Sequence, residues 1–218
     1  MDAGMHAVVH DVTAEQHDDD RFLHVLDTSL EVLARLEVPY LVIGEIGSSV
    51  FGRDRGTRDI DLFVRPEAAP RVLEGFAAAG FETDVIFEHW LFKARSADVD
   101  VDIIFRAARD ILLDEAMMER ATIQPFRGRR VAVAPPEDLL IMKVMATSED
   151  TARYWYDALG ILARSPLDWD YLCERAAQHG ARRVLSLLLF ATSIDLVVPP
   201  APVERLFGLV YPSEGAAS

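Results

Sequence analysis

Hydrophobic positions follow two different periods along this chain. Between residues 40 and 134, short apolar or alternating runs are separated by glycine, proline and charged residues, which is the pattern of β-strands joined by turns. From residue 137 onward, apolar residues recur every three to four positions, which is the period of amphipathic helices. The pattern predicts an α+β fold, in which an α/β half is followed by a helical half.

The individual elements follow from turn and capping residues. Residues 1–19 are predicted to be a flexible tail, and Asp20 to cap a helix over 21–38 that Pro39 ends. Strands are predicted at 40–43, 59–64, 81–87, 89–94 and 98–105, with a hairpin over 123–134. Helices are predicted at 67–80, 109–121, 137–148, 150–163, 168–179, 181–194 and 202–210. We therefore place an α/β domain at 20–135 and a helical domain at 136–218.

Composition narrows the class of protein. The formal charge of −14 disfavours a large nonspecific nucleic-acid surface, because such a surface needs many lysine and arginine contacts. No apolar run approaches the ~18 residues that span a bilayer, and the N-terminus lacks the basic and apolar regions of a secretory signal. The single cysteine, Cys173, suits a reducing compartment. We therefore expect a cytoplasmic protein with no membrane partner.

Candidate chemistry concentrates in residues 40–64, YLVIGEIGSSVFGRDRGTRDIDLFV. A strand ends at glycine, a Gly/Ser-rich turn follows, and a second strand opens with Asp59 and Asp61. Side chains two apart in a strand point to the same face, so these two carboxylates should lie together. Carboxylates that crowd together repel unless a cation lies between them, and Mg²⁺ favours a few carboxylates combined with phosphate oxygens. The segment therefore predicts a metal and phosphate site.

These residues resemble the nucleotidyltransferase superfamily related to DNA polymerase β. The resemblance is closest to the subgroup of AbiEii-type and MenT-type toxins, whose pattern is G-x-x-R-x-T-x-D-x-D. Gly52, Arg55 and Thr57 stand at the expected positions before the two aspartates. The resemblance implies a nucleotidyltransferase-type mixed β-sheet flanked by helices and followed by a C-terminal helical bundle. It also implies that Arg55 and Thr57 contact the nucleotide.

The family's glycine pair has two registers in this chain. In one it is Gly44-Glu45, which replaces the second glycine with an acid where the triphosphate would pass. In the other it is Gly47-Ser48, which ten intervening residues separate from Asp59, as in minimal members of the family. We favour Gly44 as the glycine that ends the strand, with Ser48 or Ser49 supplying a hydroxyl to the phosphates.

The resemblance further implies a third acid on a later strand. Asp98, Asp100 and Asp102 alternate along 98-DVDVDIIF-105 and share one face. Asp102 fits the family pattern best, as a metal ligand and as the general base that accepts the proton of the attacking hydroxyl. Asp100 is the alternative. The implied cofactor is Mg²⁺ or Mn²⁺, held by Asp59, Asp61 and Asp102.

The helical half carries the remaining resemblance. The run 136-PEDLLIMKVMA-146 is similar to a family helix whose lysine, here Lys143, reaches the triphosphate. Arg153 and Asp157 match a following segment and are candidate nucleotide-binding residues, although at this spacing they could equally form an ordinary helix ion pair. Close relatives often have histidine where this chain has Tyr154, so no histidine role transfers.

Three functions remain open from the sequence. The first is an enzyme that transfers NMP from an NTP, ATP included, to an acceptor hydroxyl and releases pyrophosphate. In the resembled toxin group the acceptors include the 3′ end of tRNA, and elsewhere in the superfamily they include protein hydroxyls. A toxin of this kind would have an antitoxin partner. The second is a nucleotide-binding or regulatory module with weakened catalysis, which Glu45 motivates. The third is a nucleotidyltransferase for aminoglycoside-type small molecules, since an acidic pocket attracts a polycation.

Overall fold

The structure is a computed structural model that describes residues 3–53, 56–108 and 110–212, with the backbone alone described for residues 3–16. Its strands are β1 (Tyr40–Val42), β2 (Asp59–Val64), β3 (Glu82–Phe87), β4 (Leu91–Ser96), β5 (Val99–Ile104), β6 (Thr122–Phe126) and β7 (Arg129–Val133). Its helices are α1 (Ala3–Arg35), α2 (Gly44–Phe51), α3 (Ala69–Ala78), α4 (Glu115–Arg120), α5 (Pro136–Ala146), α6 (Arg153–Arg164), α7 (Trp169–His179), α8 (Ala181–Ser193) and α9 (Pro200–Val210).

Among the described residues, the strands form one mixed sheet in the order β3-β4-β5-β2-β1-β7-β6. The β1–β2, β3–β4, β4–β5 and β6–β7 pairs are antiparallel, whereas β2–β5 and β1–β7 are parallel. The predicted α+β fold, a mixed sheet flanked by helices and followed by a C-terminal helical bundle, is confirmed. The parallel β2–β5 pair lies at the centre of the sheet and carries the candidate acids.

The helices bury the sheet and one another in a continuous core. Helices α1 and α3 pack against each other and against β5, while α2 packs against β2 and β6. Helix α5 is buried almost along its whole length and contacts α2, α6, α7 and α8. A helix that is apolar on all sides is one surrounded by protein. Residues of both halves belong to one hydrophobic cluster, so the division near residue 135 stays a prediction.

Two local predictions differ from the structure. The segment predicted as a flexible tail over 1–19 is helical from Ala3, because no proline or further glycine interrupts the run between Gly4 and Arg35. The helix predicted near 109–121 is limited to α4, because an isolated bridge joins Ala107 to Ile111 before it. Asp114 caps α4 by accepting from the Met117 N–H.

In the part of the chain that the structure describes, no helix combines the length and the apolar character that crossing a bilayer requires.

Candidate active site

The register of β2 and β5 brings the candidate acids side by side. Asp59 is paired with Asp100, and Asp61 with Asp102, across the two parallel strands. Alternation along each strand places all four on one face, while Ile60 between the first two is fully buried on the other. Two independent sequence patterns therefore converge on one patch of the sheet.

Three of these acids line a cavity of about 610 Å³. Asp59, Asp61 and Asp102 contribute to its wall, and Asp100 is not among the described residues that line it. The opposite wall comes from α5 and α6. The other described side chains that line it and carry charge or an aromatic ring are Glu45, His89, Trp90, Arg106, Asp110, Lys143, Arg153 and Tyr154. This volume suits a small-molecule substrate.

Gly44 is the glycine that lies against the acids. Its φ of +61° is in the left-handed region, and a Cβ at this position would lie 1.7 Å from Asp61 Oδ2. The next residue, Glu45, donates its backbone N–H to Asp61. Gly47 lies further along α2, where a Cβ would be 3.0 Å from Leu139 rather than close to an acid. Of the two registers considered, the structure places Gly44, rather than Gly47, beside the acids.

Burial and mutual repulsion raise the pKa of two carboxyl groups in the cavity. Burial raises the pKa of Asp61 from 3.8 to about 6, Asp102 and Asp59 add to the rise, and Lys143 opposes it. Burial likewise raises the pKa of Asp102, whereas its contact with Lys93 acts in the opposite direction. Such perturbed groups in a cleft are typical of functional sites.

Two cationic side chains of the neighbouring strand β4 form ion pairs with Asp100. Arg95 Nε lies 2.5 Å from Asp100 Oδ1, and Lys93 Nζ lies 3.1 Å from Oδ2. The hydrogen bond from Arg95 is the main reason that the pKa of Asp100 is lowered. These contacts, together with the absence of Asp100 from the described cavity wall, favour Asp102 over Asp100 as the third acid.

Lys143 lies in a nearly buried group of charges. Its Nζ lies 3.4 Å from Asp157 Oδ2 and 3.7 Å from Glu45 Oε2, and the ring centroid of Tyr154 is 4.6 Å away. Asp157 is 2% exposed and is not among the described residues of the cavity wall, so it contacts Lys143 from behind. The Arg153 guanidinium lies 5.2 Å from the same tyrosine ring. Tyr154, to which the sequence assigned no role, therefore supports both cations.

The remaining predicted site residues do not share one position relative to the cavity. Ser48 and Ser49 donate their hydroxyls to backbone carbonyls within α2, at 2.7 and 2.8 Å, and are not among the described wall residues. Thr57 lines the cavity and holds the start of β2: its hydroxyl donates to the Asp59 carbonyl and accepts from the Asp59 N–H. Arg55 lies outside the described residues.

The donor chemistry of the cavity suits a divalent cation, although the side chains are not gathered as a ligand set. Three carboxylates on one wall offer the hard oxygen ligands that Mg²⁺ and Mn²⁺ prefer. Asp102 Oδ1 is buried, and Lys93 Nζ lies 2.7 Å from it. Within the described ranges, no three His, Cys, Asp or Glu side chains are arranged to hold a metal ion. The three aspartates therefore have the right ligand chemistry for a divalent cation, and they lie on one wall of the same cavity.

A mixed sheet with paired acids on its central parallel strands, facing a cavity closed by helices, defines a nucleotidyltransferase-type enzyme. The chain belongs to the family described as "Uncharacterised nucleotidyltransferase", whose model matches residues 53–205. No curated protein is significantly similar to it. The family match confirms the superfamily and the enzyme class that the sequence motifs predicted.

Several solved structures are similar to this chain at low sequence identity. The solution structure of the antibiotic-resistance factor ANT(2″)-Ia is 15% identical, covering 79% of this chain and 92% of its own, with a TM-score of 0.48. The lincosamide antibiotic adenylyltransferase LnuA is 15% identical, covering 65% and 96%, with a TM-score of 0.45. An antigenic nucleotidyltransferase-like protein from Paracoccidioides brasiliensis is also 15% identical, covering 86% and 92%, with a TM-score of 0.46. These likenesses concern the fold alone.

Proposed function

We propose that this enzyme transfers NMP from an NTP to an acceptor hydroxyl in a metal-dependent reaction. The observation that supports this most directly is the in-register pairing of Asp61 with Asp102 on neighbouring parallel strands, with Asp59 on the same face. All three acids line one cavity that also contains Lys143 and Arg153. Acids and cations facing one another across a cavity suit a metal-bound triphosphate.

Asp59, Asp61 and Asp102 are the residues that would hold Mg²⁺ or Mn²⁺. When bound, the metal neutralises phosphate charge and stabilises the in-line displacement. The raised pKa of Asp61 and Asp102 supports this assignment: burial is the main cause and repulsion between the carboxylates adds to it, and a bound cation would favour the ionised form of both groups. The donor set contains no sulfur or nitrogen, which favours these hard metals over zinc.

Lys143 and Arg153 would bind the triphosphate as positive charges on the helical wall. Lys143 lies between Asp157 and Glu45, so the triphosphate would displace Glu45 from the ammonium while Asp157 keeps it in place. The Gly44 turn brings the backbone close to the same space, because a side chain there would overlap Asp61. The proposed nucleotide site is thus formed by one face of the central strands, the start of α2, and the helices α5 and α6.

Asp102 would act as the general base. Its carboxylate accepts the proton of the acceptor hydroxyl while the hydroxyl oxygen forms a bond to the α-phosphorus. The bond between the α-phosphorus and the bridging oxygen breaks, and pyrophosphate leaves with the electron pair. Burial raises the pKa of Asp102 and makes it a stronger proton acceptor than an ordinary surface aspartate.

We propose an acceptor of the toxin type, the 3′ end of tRNA or a protein hydroxyl, with an antitoxin as partner in the cell. This rests on the resemblance of the G-x-x-R-x-T-x-D-x-D segment to AbiEii-type and MenT-type toxins. A cationic, aminoglycoside-type small molecule is the second candidate. The described cavity wall favours it through five carboxylates, Glu45, Asp59, Asp61, Asp102 and Asp110, against the cations of Arg106, Lys143 and Arg153.

The experiment is a transfer assay with the full chain and each of the four NTPs labelled at the α-phosphate, with Mg²⁺ or Mn²⁺. Total tRNA, total protein and a panel of aminoglycosides serve as separate acceptors, and Asp61→Asn is the matched inactive control. Label should enter one acceptor class with wild type and not with the variant. Label that stays in free NTP for every acceptor, while calorimetry shows Mg-NTP binding, would establish the nucleotide-binding module instead.

A further inference from the structure

A row of alternating charges crosses from β4 to β5 beside the third acid. The antiparallel register pairs Lys93 with Asp102 and Arg95 with Asp100. Lys93 Nζ lies 2.7 Å from Asp102 Oδ1 and 3.1 Å from Asp100 Oδ2, and Arg95 binds Asp100 through two nitrogens at 2.5 and 3.1 Å. Lys93 is therefore held between two carboxylates, one of which is fixed in turn by Arg95.

Lys93 contacts the site through Asp102. It is not among the described residues that line the cavity, whereas Asp102 is. The ammonium lies against Oδ1, the buried oxygen of that carboxylate. A positive charge on one oxygen weakens the attraction of the whole carboxylate for a second cation, and it also fixes the rotation of the group. Both effects act on the acid that the proposed function uses as base.

We propose that Lys93 is a positioning residue that withholds Asp102 from full metal coordination and orients it as the proton acceptor. This inference rests on the proposed function. A divalent cation would then be held mainly by Asp59 and Asp61. It also accounts for the observation that the described acids line one cavity without forming a ready ligand set.

Removing the ammonium should change metal binding and turnover in opposite directions. Without Lys93, Asp102 is free to bind the cation, so metal affinity rises. The same carboxylate loses its orientation and is drawn to the metal, so proton transfer slows. Damage to the fold would weaken both properties together, and a role in binding nucleotide would raise KM for NTP. The pair of measurements therefore separates positioning from either alternative.

The test compares wild type, Lys93→Met, Lys93→Arg and Arg205→Met. Arg205 forms an exposed ion pair with Asp170 on the far helices and serves as the matched control. Calorimetry measures the Kd for Mn²⁺ without nucleotide, and steady-state assays measure kcat and KM for NTP. Thermal unfolding in the presence of EDTA checks that each variant is folded.

For Lys93→Met we expect Mn²⁺ to bind about threefold to tenfold tighter, because one unit charge next to the site is removed. We expect kcat to fall about tenfold or more, in line with the loss of an oriented general base. KM for NTP should stay within about twofold. Lys93→Arg, which keeps the charge, should recover most of both properties, and Arg205→Met should match wild type.

Unchanged or weaker Mn²⁺ binding by folded Lys93→Met would overturn the proposal, as would an unchanged kcat. A large increase in KM for NTP at constant kcat would assign Lys93 to nucleotide binding instead. If Lys93→Met does not fold, Lys93→Gln replaces it with the same expected directions. If wild type transfers no nucleotide, the proposed function fails by itself, and the Mn²⁺ comparison still decides whether Lys93 withholds Asp102 from the cation.

Discussion

Replacing Asp61 with asparagine is expected to stabilise the metal-free protein at neutral pH while it abolishes nucleotide transfer. The surroundings of Asp61 disfavour its ionised form: burial, helped by Asp102 and Asp59, raises its pKa from 3.8 to about 6. A carboxyl group with a raised pKa resists ionisation in the folded state, so its charge opposes folding once it forms. Asparagine removes the charge and keeps an oxygen that accepts the Glu45 N–H.

The magnitude follows from the two pKa values. At about 1.4 kcal/mol per pKa unit, a rise from 3.8 to about 6 corresponds to about 3 kcal/mol of destabilisation by the ionised group. Below pH 3.8 the carboxyl is protonated in both folded and unfolded chains, so the difference vanishes. It grows between pH 3.8 and about 6 and is complete above that range. For a chain of this size, about 3 kcal/mol corresponds to a rise in Tm of roughly 6–12 °C.

The assay is urea unfolding of wild type and Asp61→Asn at pH 7.5 and at pH 4, both with EDTA. Asp59→Asn is the control, because Asp59 lies two residues earlier on the same strand and is exposed. The free energy of unfolding of this variant should stay within about 0.5 kcal/mol of wild type. A loss of stability in Asp61→Asn at pH 7.5 would refute the reasoning. An equal gain at both pH values would show that charge is not the cause.

Three further substitutions, the first with a matched control, test other features. Gly44→Ala should lower the free energy of unfolding by more than about 2 kcal/mol and abolish transfer, because its Cβ would lie 1.7 Å from a site carboxylate oxygen. Gly56→Ala, also at positive φ but with open space around it, should lose only about 1 kcal/mol. Asp157→Ala should lower the free energy of unfolding by about 3 kcal/mol, because it deprives nearly buried Lys143 of a partner. Glu45→Gln should bind Mg-NTP about threefold to tenfold tighter by calorimetry, because the carboxylate 3.7 Å from Lys143 repels phosphate.

Each of these three predictions would be contradicted by a specific measurement. Equal stability losses in the two glycine variants, measured by urea unfolding, would show that the close approach at Gly44 has no consequence. A stability loss below about 0.5 kcal/mol in Asp157→Ala would place that pair in the class of exposed salt bridges. Weaker Mg-NTP binding in Glu45→Gln would mean that the glutamate helps to bind the nucleotide rather than competing with it.

Most of the helices and strands could be predicted because the residues that mark each of them lie close together in the sequence. Glycine and proline mark the turns, and periodicity separates the strands of residues 40–134 from the helices beyond Pro136. The N-terminal segment shows where local signals are insufficient: from Ala3 onward, the residues predicted as a tail are part of helix α1. In the fold, Asp19 is paired with Arg127 of the β6–β7 turn, more than a hundred residues away.

The candidate site was predictable in part. Asp59 and Asp61 could be assigned to one face because strand alternation is a local rule. The choice between Asp100 and Asp102 could not be made in the same way, because it depends on contacts from β4: Arg95 and Lys93 both bind Asp100, whereas Asp102 is contacted by Lys93 and also lines the cavity. A tight turn at Ala97 and Asp98, both at positive φ, sets that register. Reading these two residues as a hairpin turn would have paired Lys93 with Asp102.

The amino-acid sequence by itself determined the order and type of the elements, the superfamily and the face on which the first two acids lie. All of these depend on spacing within a few residues or on a contiguous motif. Only the tertiary structure decided that Lys93 contacts Asp102, that Asp157 contacts Lys143 from behind, and that Ser48 donates its hydroxyl to a carbonyl of its own helix. Contacts between distant segments arise from strand register and helix packing, which no local pattern encodes.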